Sequence, residues 1–322
     1  TPPQIASSCF ADYPTLGVDA NALYVGTDNF CPTSWTGTDG YVIRKSSILG
    51  AGPIVVTAFR GLVATSSSAG PYTPQGVDNY DPSSTEGYFI GPDNLSYGLL
   101  QMRRVSTPGG TPTISADISI TVPTTGAPIK VPHLGNTLGN SAKLDALDDR
   151  LFAAHIRNGK LWTAHNIQVN SSGVYSASGG RDGSRWYELN VPVGSGTPTL
   201  IESGTVFDPA ATNPRSYWIP SVMVSGQGHA AFALSSAGNS DRANSATVGR
   251  LVGDALGTTQ AVALYTSSST AYNVSDGYAS RGAHRWGDYS YVSLDPIDDQ
   301  TMWAVHMFCD ATNSYGVRVA KL

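Results

Sequence analysis

Hydrophobic and polar positions alternate with a period of two along much of this chain, and tight polar turns reverse one apolar run into the next. Five such reversals are centred near Ala20, Asp93, Gly159, Gln227 and Asp298, so they recur about every 70 residues. They define hairpins over 12–30, 86–104, 149–168, 217–236 and 286–309. Further β-rich runs follow each hairpin: YVIRKSSIL and PIVVTAF after the first, TISADISITV after the second, RWYELNV and TLIESGTVF after the third, SATVGRLV and AVALYT after the fourth. Four strands per repeat is the resulting count, with no fourth strand legible in the second repeat. Helical spacing of apolar residues is almost absent, and its best short case spans only 142–151.

This pattern predicts an all-β chain, and specifically a five-bladed β-propeller of four-stranded antiparallel blades in one domain over 1–322. The fifth repeat carries only YGVRVAKL after its hairpin, whereas QIASSCF precedes the first hairpin and belongs to no complete repeat. The N-terminal segment is therefore expected to join the last blade as its outer strand, closing the ring and removing exposed edges. In that geometry the hairpin turns share one face, and the starts of first strands and ends of second strands share the opposite one, around the mouth of a channel. Cys9, Cys31 and Cys309 all fall near this second face. Cys31 can pair with Cys9 or with Cys309, leaving one thiol.

Composition narrows the function. Hydrophobic residues at 40% supply a core, while charged residues at 13% are about half the usual share, so the surface is neutral and polar. A net charge of -5 argues against binding a phosphate backbone, and nucleic acid is not an expected partner. No apolar run approaches the roughly 18 residues of a membrane span. The Ser/Thr-rich, Lys-poor surface and the sequons at Asn94, Asn170 and Asn273 point to a secreted protein, expected as a monomer.

The predicted mouth gathers unlike residues from the five repeats. First-strand starts contribute Asp12, Tyr13, Glu86, Asp149, Trp218, Arg285, Trp286 and Asp288, and second-strand ends contribute Asn29, His165, Asn166 and His306. Carboxylates and amides pair with sugar hydroxyls, and aromatic faces stack on pyranose rings. Asp12, Glu86, Asp149 and Asp288 are thus candidate acid/base groups for glycoside cleavage, with His165 and His306 as alternatives if cleavage is by elimination. Tyr13, Asn29, Asn166, Trp218, Arg285 and Trp286 are candidate substrate contacts. Only three glutamates exist, and Glu188 and Glu202 fall on outer strands, so a carboxylate pair must use Glu86 with an aspartate or two aspartates. Trp162, Trp186, Trp303 and His155 read as core. No cofactor is required by this chemistry, although Asp and Asn oxygens at the mouth would suit a calcium ion.

Ser293-Leu294-Asp295-Pro296 followed by Thr301-Met302-Trp303 resembles a loosened Asp box, the structural turn of sialidase-like propellers. Five blades with acids at first-strand starts also resemble the five-bladed glycoside hydrolases of the arabinanase, xylosidase and levansucrase type. That resemblance implies that Asp12, in Asp12-Tyr13-Pro14, takes the place of the family's first-blade base or nucleophile. The run Arg285-Trp286-Gly287-Asp288-Tyr289-Ser290 is similar to one in secreted bacterial propellers of unassigned function. The expectation is a secreted carbohydrate-active enzyme, a glycoside hydrolase or polysaccharide lyase, with one asymmetric site for a polysaccharide or oligosaccharide. Blade-to-blade differences favour this over a glycan-binding lectin, which would repeat one site in every blade; a structural surface protein is the further alternative.

Overall fold

A computed structural model describes residues 8–274 and 283–322. The chain is all β, with 21 strands among these residues, one five-residue helix at Lys45–Leu49 and one turn of 3-10 helix. Five sheets form, one for each predicted repeat. The chain divides into two compact units, the first comprising Thr1–Thr124, Ala154–Trp162 and Glu188–Ile201 and the second the remainder. The closing strand expected over 4–10 falls mostly outside the described residues.

In the first unit, β1 (Phe10–Val18), β2 (Ala22–Phe30), β3 (Trp35–Arg44) and β4 (Val56–Val63) form an antiparallel meander in chain order. Alternating burial along β1 and β2 follows from the period-two pattern. Phe10 pairs with Phe30, so the flanking Cys9 and Cys31 meet and form the disulfide, while Cys309 remains a buried thiol. The run expected as one strand over 41–49 turns at Arg44. Lys45 opens the short helix there, its N–H bonded to the Asn21 carbonyl.

The second sheet, where the sequence shows no fourth strand after the hairpin, also splits its third. Its main hairpin is β7 (Glu86–Pro92) with β8 (Leu99–Ser106), but the third position is split between β9 (Thr113–Ile114) and β10 (Ile118–Thr121), and no fourth strand follows. The split has a local cause. Ser115 Oγ accepts the Arg104 N–H at 2.9 Å, and Arg103 both bonds the Ser115 carbonyl and pairs with Asp117 at 2.6 Å, so side chains replace the ladder there. On the other edge, β5 (Gln75–Gly76) pairs with β7, and two residues later β6 (Asp78–Asn79) pairs in parallel with β11 (Leu151–Arg157) of the third sheet. This extra segment lies against β1 and β2 because glycines admit it. A Cβ on Gly76 would stand 2.2 Å from the Tyr24 carbonyl oxygen, and one on Gly17 would stand 2.3 Å from the Gly76 carbonyl carbon.

The third sheet continues from β11 through β12 (Lys160–Val169) and β13 (Arg181–Asn190) to β14 (Thr199–Val206). In the second unit, β15 (Arg215–Val224), β16 (Ala230–Gly238), β17 (Asp241–Arg250) and β18 (Ala263–Leu264) give a four-stranded meander. The fifth sheet has three strands among the described residues, β19 (Tyr291–Leu294), β20 (Met302–Ala311) and β21 (Ser314–Lys321). At its hairpin, the Asp295 carboxylate accepts the Ile297 N–H at 3.0 Å and the Trp303 indole N–H at 3.2 Å. The Asp-box-like residues thus brace the turn.

One device recurs in β1 and β15. Tyr13-Pro14 faces only Thr27 in the β1 ladder, and Ile219-Pro220 faces only Leu234 in that of β15, so each strand bulges by one residue. Tyr13 and Ile219 have φ of 48° and 52°, a costly conformation for residues with side chains. The following hydroxyl ties the bulge to a neighbouring segment. Thr15 Oγ1 donates to the Pro74 carbonyl at 2.7 Å and accepts the Gly76 N–H at 3.1 Å. Ser221 Oγ accepts the Val292 N–H of β19 at 3.1 Å. Asp12 is therefore the structural counterpart of Trp218, each heading an X-X-Pro-Thr/Ser bulge.

Candidate functional site

In the first unit, Asp12 is exposed at the start of β1 opposite Asp28, and Asn29 is half-buried near the end of β2. Tyr13 is buried at the bulge. The Asn29 side-chain oxygen has no hydrogen bond among the described residues. Asp28 is committed elsewhere, accepting from the Trp35 indole at 3.2 Å and from the Thr73 hydroxyl at 3.0 Å.

Glu86 sits in a dense structural network. Its carboxylate accepts the Tyr88 hydroxyl at 3.0 Å and the Gly194 N–H at 3.2 Å, and lies 3.2 Å from Arg104 Nε. Arg104 in turn donates to the carbonyls of Pro192, Gly194 and Gly196. These bonds hold the 192–196 loop against the hairpin, and they commit the Glu86 carboxylate to internal partners.

The second unit holds the other eight candidates. Asn166 is fully buried and satisfied: its amide donates to the carbonyls of Ala146 and Asp148 at 3.0 and 3.2 Å, and its oxygen accepts the Ile219 N–H at 3.0 Å. Trp218 and Trp286 are 0% and 1% exposed, with ring centroids 6.4 Å apart in a core that includes Tyr272, Met307 and Cys309. Neither indole offers a face to a ligand in this structure; hydrophobic burial has claimed both. Arg285 remains exposed and bonds Asp288 at 3.0 Å.

Both candidate histidines are buried and neutral. His165 Nδ1–H donates to the Asp149 carbonyl at 2.6 Å, which leaves Nε2 to accept the Tyr187 hydroxyl at 2.9 Å. His306 Nδ1 accepts the Met307 N–H at 2.8 Å, and its Nε2 lies 3.1 Å from the Ser235 hydroxyl, which also accepts the Trp286 indole N–H at 2.8 Å. Burial away from water lowers the pKa of each to about 4. Their bonding orders the ends of β12 and β20 from within.

Asp149 behaves differently. Burial of its carboxyl, aided by the adjacent Asp148 carboxylate and opposed by Arg150, raises its pKa to about 7. Asp148 itself forms a two-point pair with Arg150, at 2.7 and 2.6 Å. The Asp148–Asp149 sequence thus separates two neighbouring acids, one salt-bridged and one poised to exchange a proton near neutrality. His165 and Asn166 fix the backbone on which both stand.

Asp182 on β13 was not among the sequence candidates. It is 0% exposed, its Oδ1 accepts the Ile129 N–H at 2.8 Å, and its Oδ2 has no hydrogen bond among the described residues. Burial raises its pKa to about 8. Nothing in Arg181-Asp182-Gly183 signals this, since burial depends on segment 125–131 folding over the strand. No group of three or more His, Cys, Asp or Glu is placed to hold a metal ion among the described residues.

Five sheets built on repeated antiparallel hairpins define an all-β protein of the repeated-meander class. No protein-family model matches the sequence, and no curated protein matches it. Solved structures do resemble it. A protein of unknown function from Dyadobacter fermentans aligns over 98% of this chain and 79% of its own, with TM-score 0.50 and 11% identity. An alpha-L-arabinofuranosidase from Lactobacillus brevis aligns over 96% and 89%, with TM-score 0.43 and 11% identity. A GH43_1 enzyme from Xanthomonas citri, complexed with xylose, aligns over 97% and 86%, with TM-score 0.42 and 12% identity. At these identities the likeness concerns the fold.

Proposed function

We propose that the five sheets are the blades of a propeller closed through the N-terminal segment, and that the protein is a secreted glycoside hydrolase acting on a polysaccharide or oligosaccharide. The observation that carries the catalytic reading is Asp149, whose pKa of about 7 lets it hold a proton for a leaving-group oxygen at neutral pH. Asp288, in the same unit as Asp149, is the partner carboxylate of the proposal. Arg285, exposed and bonded to Asp288 at 3.0 Å, is its substrate contact. The Cys9–Cys31 disulfide is consistent with an oxidising compartment. Hydrolysis is preferred to elimination because His165 and His306 are buried, neutral and engaged.

A second reading, a glycan-binding protein without catalysis, is favoured by one specific observation. Glu86, Asn166, Trp218, Trp286, His165 and His306 are all occupied in packing or internal bonding. Incubation with arabinan, xylan, galactan and β-glucan, followed by reducing-end and unsaturated-uronate assays, separates the readings. Reducing ends that vanish in Asp149→Asn support the hydrolase; an absorbing unsaturated product would replace it with a lyase. Binding with neither signal would leave the lectin reading standing.

A further inference from the structure

The first unit contains a cleft far in sequence from Asp149 and unrelated to the candidates above. It has a volume of about 580 Å³ and is formed where the β1–β2 turn, Val18 to Ala20, meets Lys45 and the segment Asp78 to Pro82. That size is in the range of small-molecule sites. Its polar groups are partly spent. Asp19 accepts two backbone N–H groups on Oδ1 and the Tyr24 hydroxyl on Oδ2, so it shapes the cleft and offers a ligand nothing.

Three polar groups retain capacity, and one part-exposed aromatic ring stands beside them. Asp78 uses one oxygen on the Val18 N–H at 2.8 Å, and its other oxygen has no hydrogen bond among the described residues. Asp81 uses Oδ1 on Ser83 and keeps Oδ2. Lys45 donates one N–H to the Asp19 carbonyl at 3.0 Å and keeps two. Tyr80 is 42% exposed and is held in place by the Arg157 guanidinium, 5.1 Å from its ring centroid, and by the edge-on His155 ring. Acceptors, donors and an aromatic surface stand together. A bound anion would meet two carboxylates, and the site lacks the three converging ligands that a metal ion would need. A neutral polyol can instead donate to both aspartates, accept from Lys45 and lay an apolar face on Tyr80.

We propose that this cleft is a second saccharide-binding site, which anchors a neutral glycan chain independently of cleavage. The ligand class rests on the carbohydrate reading above, whereas the site does not depend on Asp149. The test is native gel electrophoresis of the full chain through arabinan, xylan, galactan or β-glucan, with thermal melts to confirm folding. Tyr80→Ala and Asp78→Asn should each weaken retardation by about tenfold in apparent affinity, the loss of one good contact. Asp149→Asn should be retarded like the native protein, and turnover of short oligosaccharides should be unchanged in Tyr80→Ala. Retardation that both cleft variants retain in full overturns the proposal even if hydrolysis is found. Retardation lost in the cleft variants without any hydrolysis supports it while removing the enzymatic reading. A native protein that none of the four polysaccharides retards overturns it too.

Discussion

Asp149 and Asp182 show how far position alone can move a carboxyl group. Both are aspartates beside a basic residue in sequence, yet burial raises them to about 7 and about 8. For Asp149 the consequence is kinetic. If it is the general acid, kcat/KM should fall as pH rises through about 7, and Asp149→Asn should remove turnover without lowering the melting temperature. A rate profile flat between pH 6 and 8 would take the role away. For Asp182 the consequence is stability. Its folded pKa lies above the unfolded value, so its favourable contribution is complete below about pH 4 and is lost as pH rises toward 8. Asp182→Asn, which mimics the protonated acid, should therefore match the native protein near pH 4.5 and exceed it at pH 8.5 by on the order of a few kcal/mol. Thermal melts across that range check the sign.

The paired bulges of β1 and β15 were written in the sequence as Tyr13-Pro14-Thr15 and Ile219-Pro220-Ser221, but their meaning was not. Proline cannot donate to a ladder, so each motif marks a break in pairing. What that break achieves appears only when the hydroxyl is seen bridging to Pro74 and Gly76, or to Val292. Thr15→Val and Ser221→Ala keep the backbone signal and remove the bridge. Each strands a backbone N–H, and each should cost about 1–3 kcal/mol in denaturant unfolding. A loss below about 0.5 kcal/mol would mean that the bulge stands without its hydroxyl. The segment Gln75–Asn79 teaches the same lesson, since a run too short to read as strand pairs with two different sheets through β5 and β6.

For the whole molecule, the neutral surface and the charge of -5 set what the protein meets at long range. Duplex DNA and heparin should not be retained at about 0.15 M salt, where screening already confines surface fields to roughly 8 Å. Measurable retention in a filter assay would show a basic patch that the composition hides. The five hairpins predicted from the turns near Ala20, Asp93, Gly159, Gln227 and Asp298 all appear as paired strands, and the sheets number five. The four-strand rule holds for the first and fourth sheets and fails for the second, where Arg103, Arg104 and Ser115 divert the chain.

By itself the sequence determined the periodic features: all-β character, hairpin positions, sheet number and the excess of neutral polar surface. These follow from side chains alternating across a strand and from turn chemistry, both local and both repeated. The tertiary structure decided which polar residues stay available. Trp218, Trp286, His165, Asn166 and Glu86 were chosen for their chemical types, and distant partners consumed them: Ser235, Tyr187, Ile219 and the loop at Gly194. The same long-range burial raised Asp149 and opened the cleft at Asp78 and Tyr80. Whether a polar side chain serves the fold or a ligand depends on neighbours dozens of residues away, and no local pattern records them.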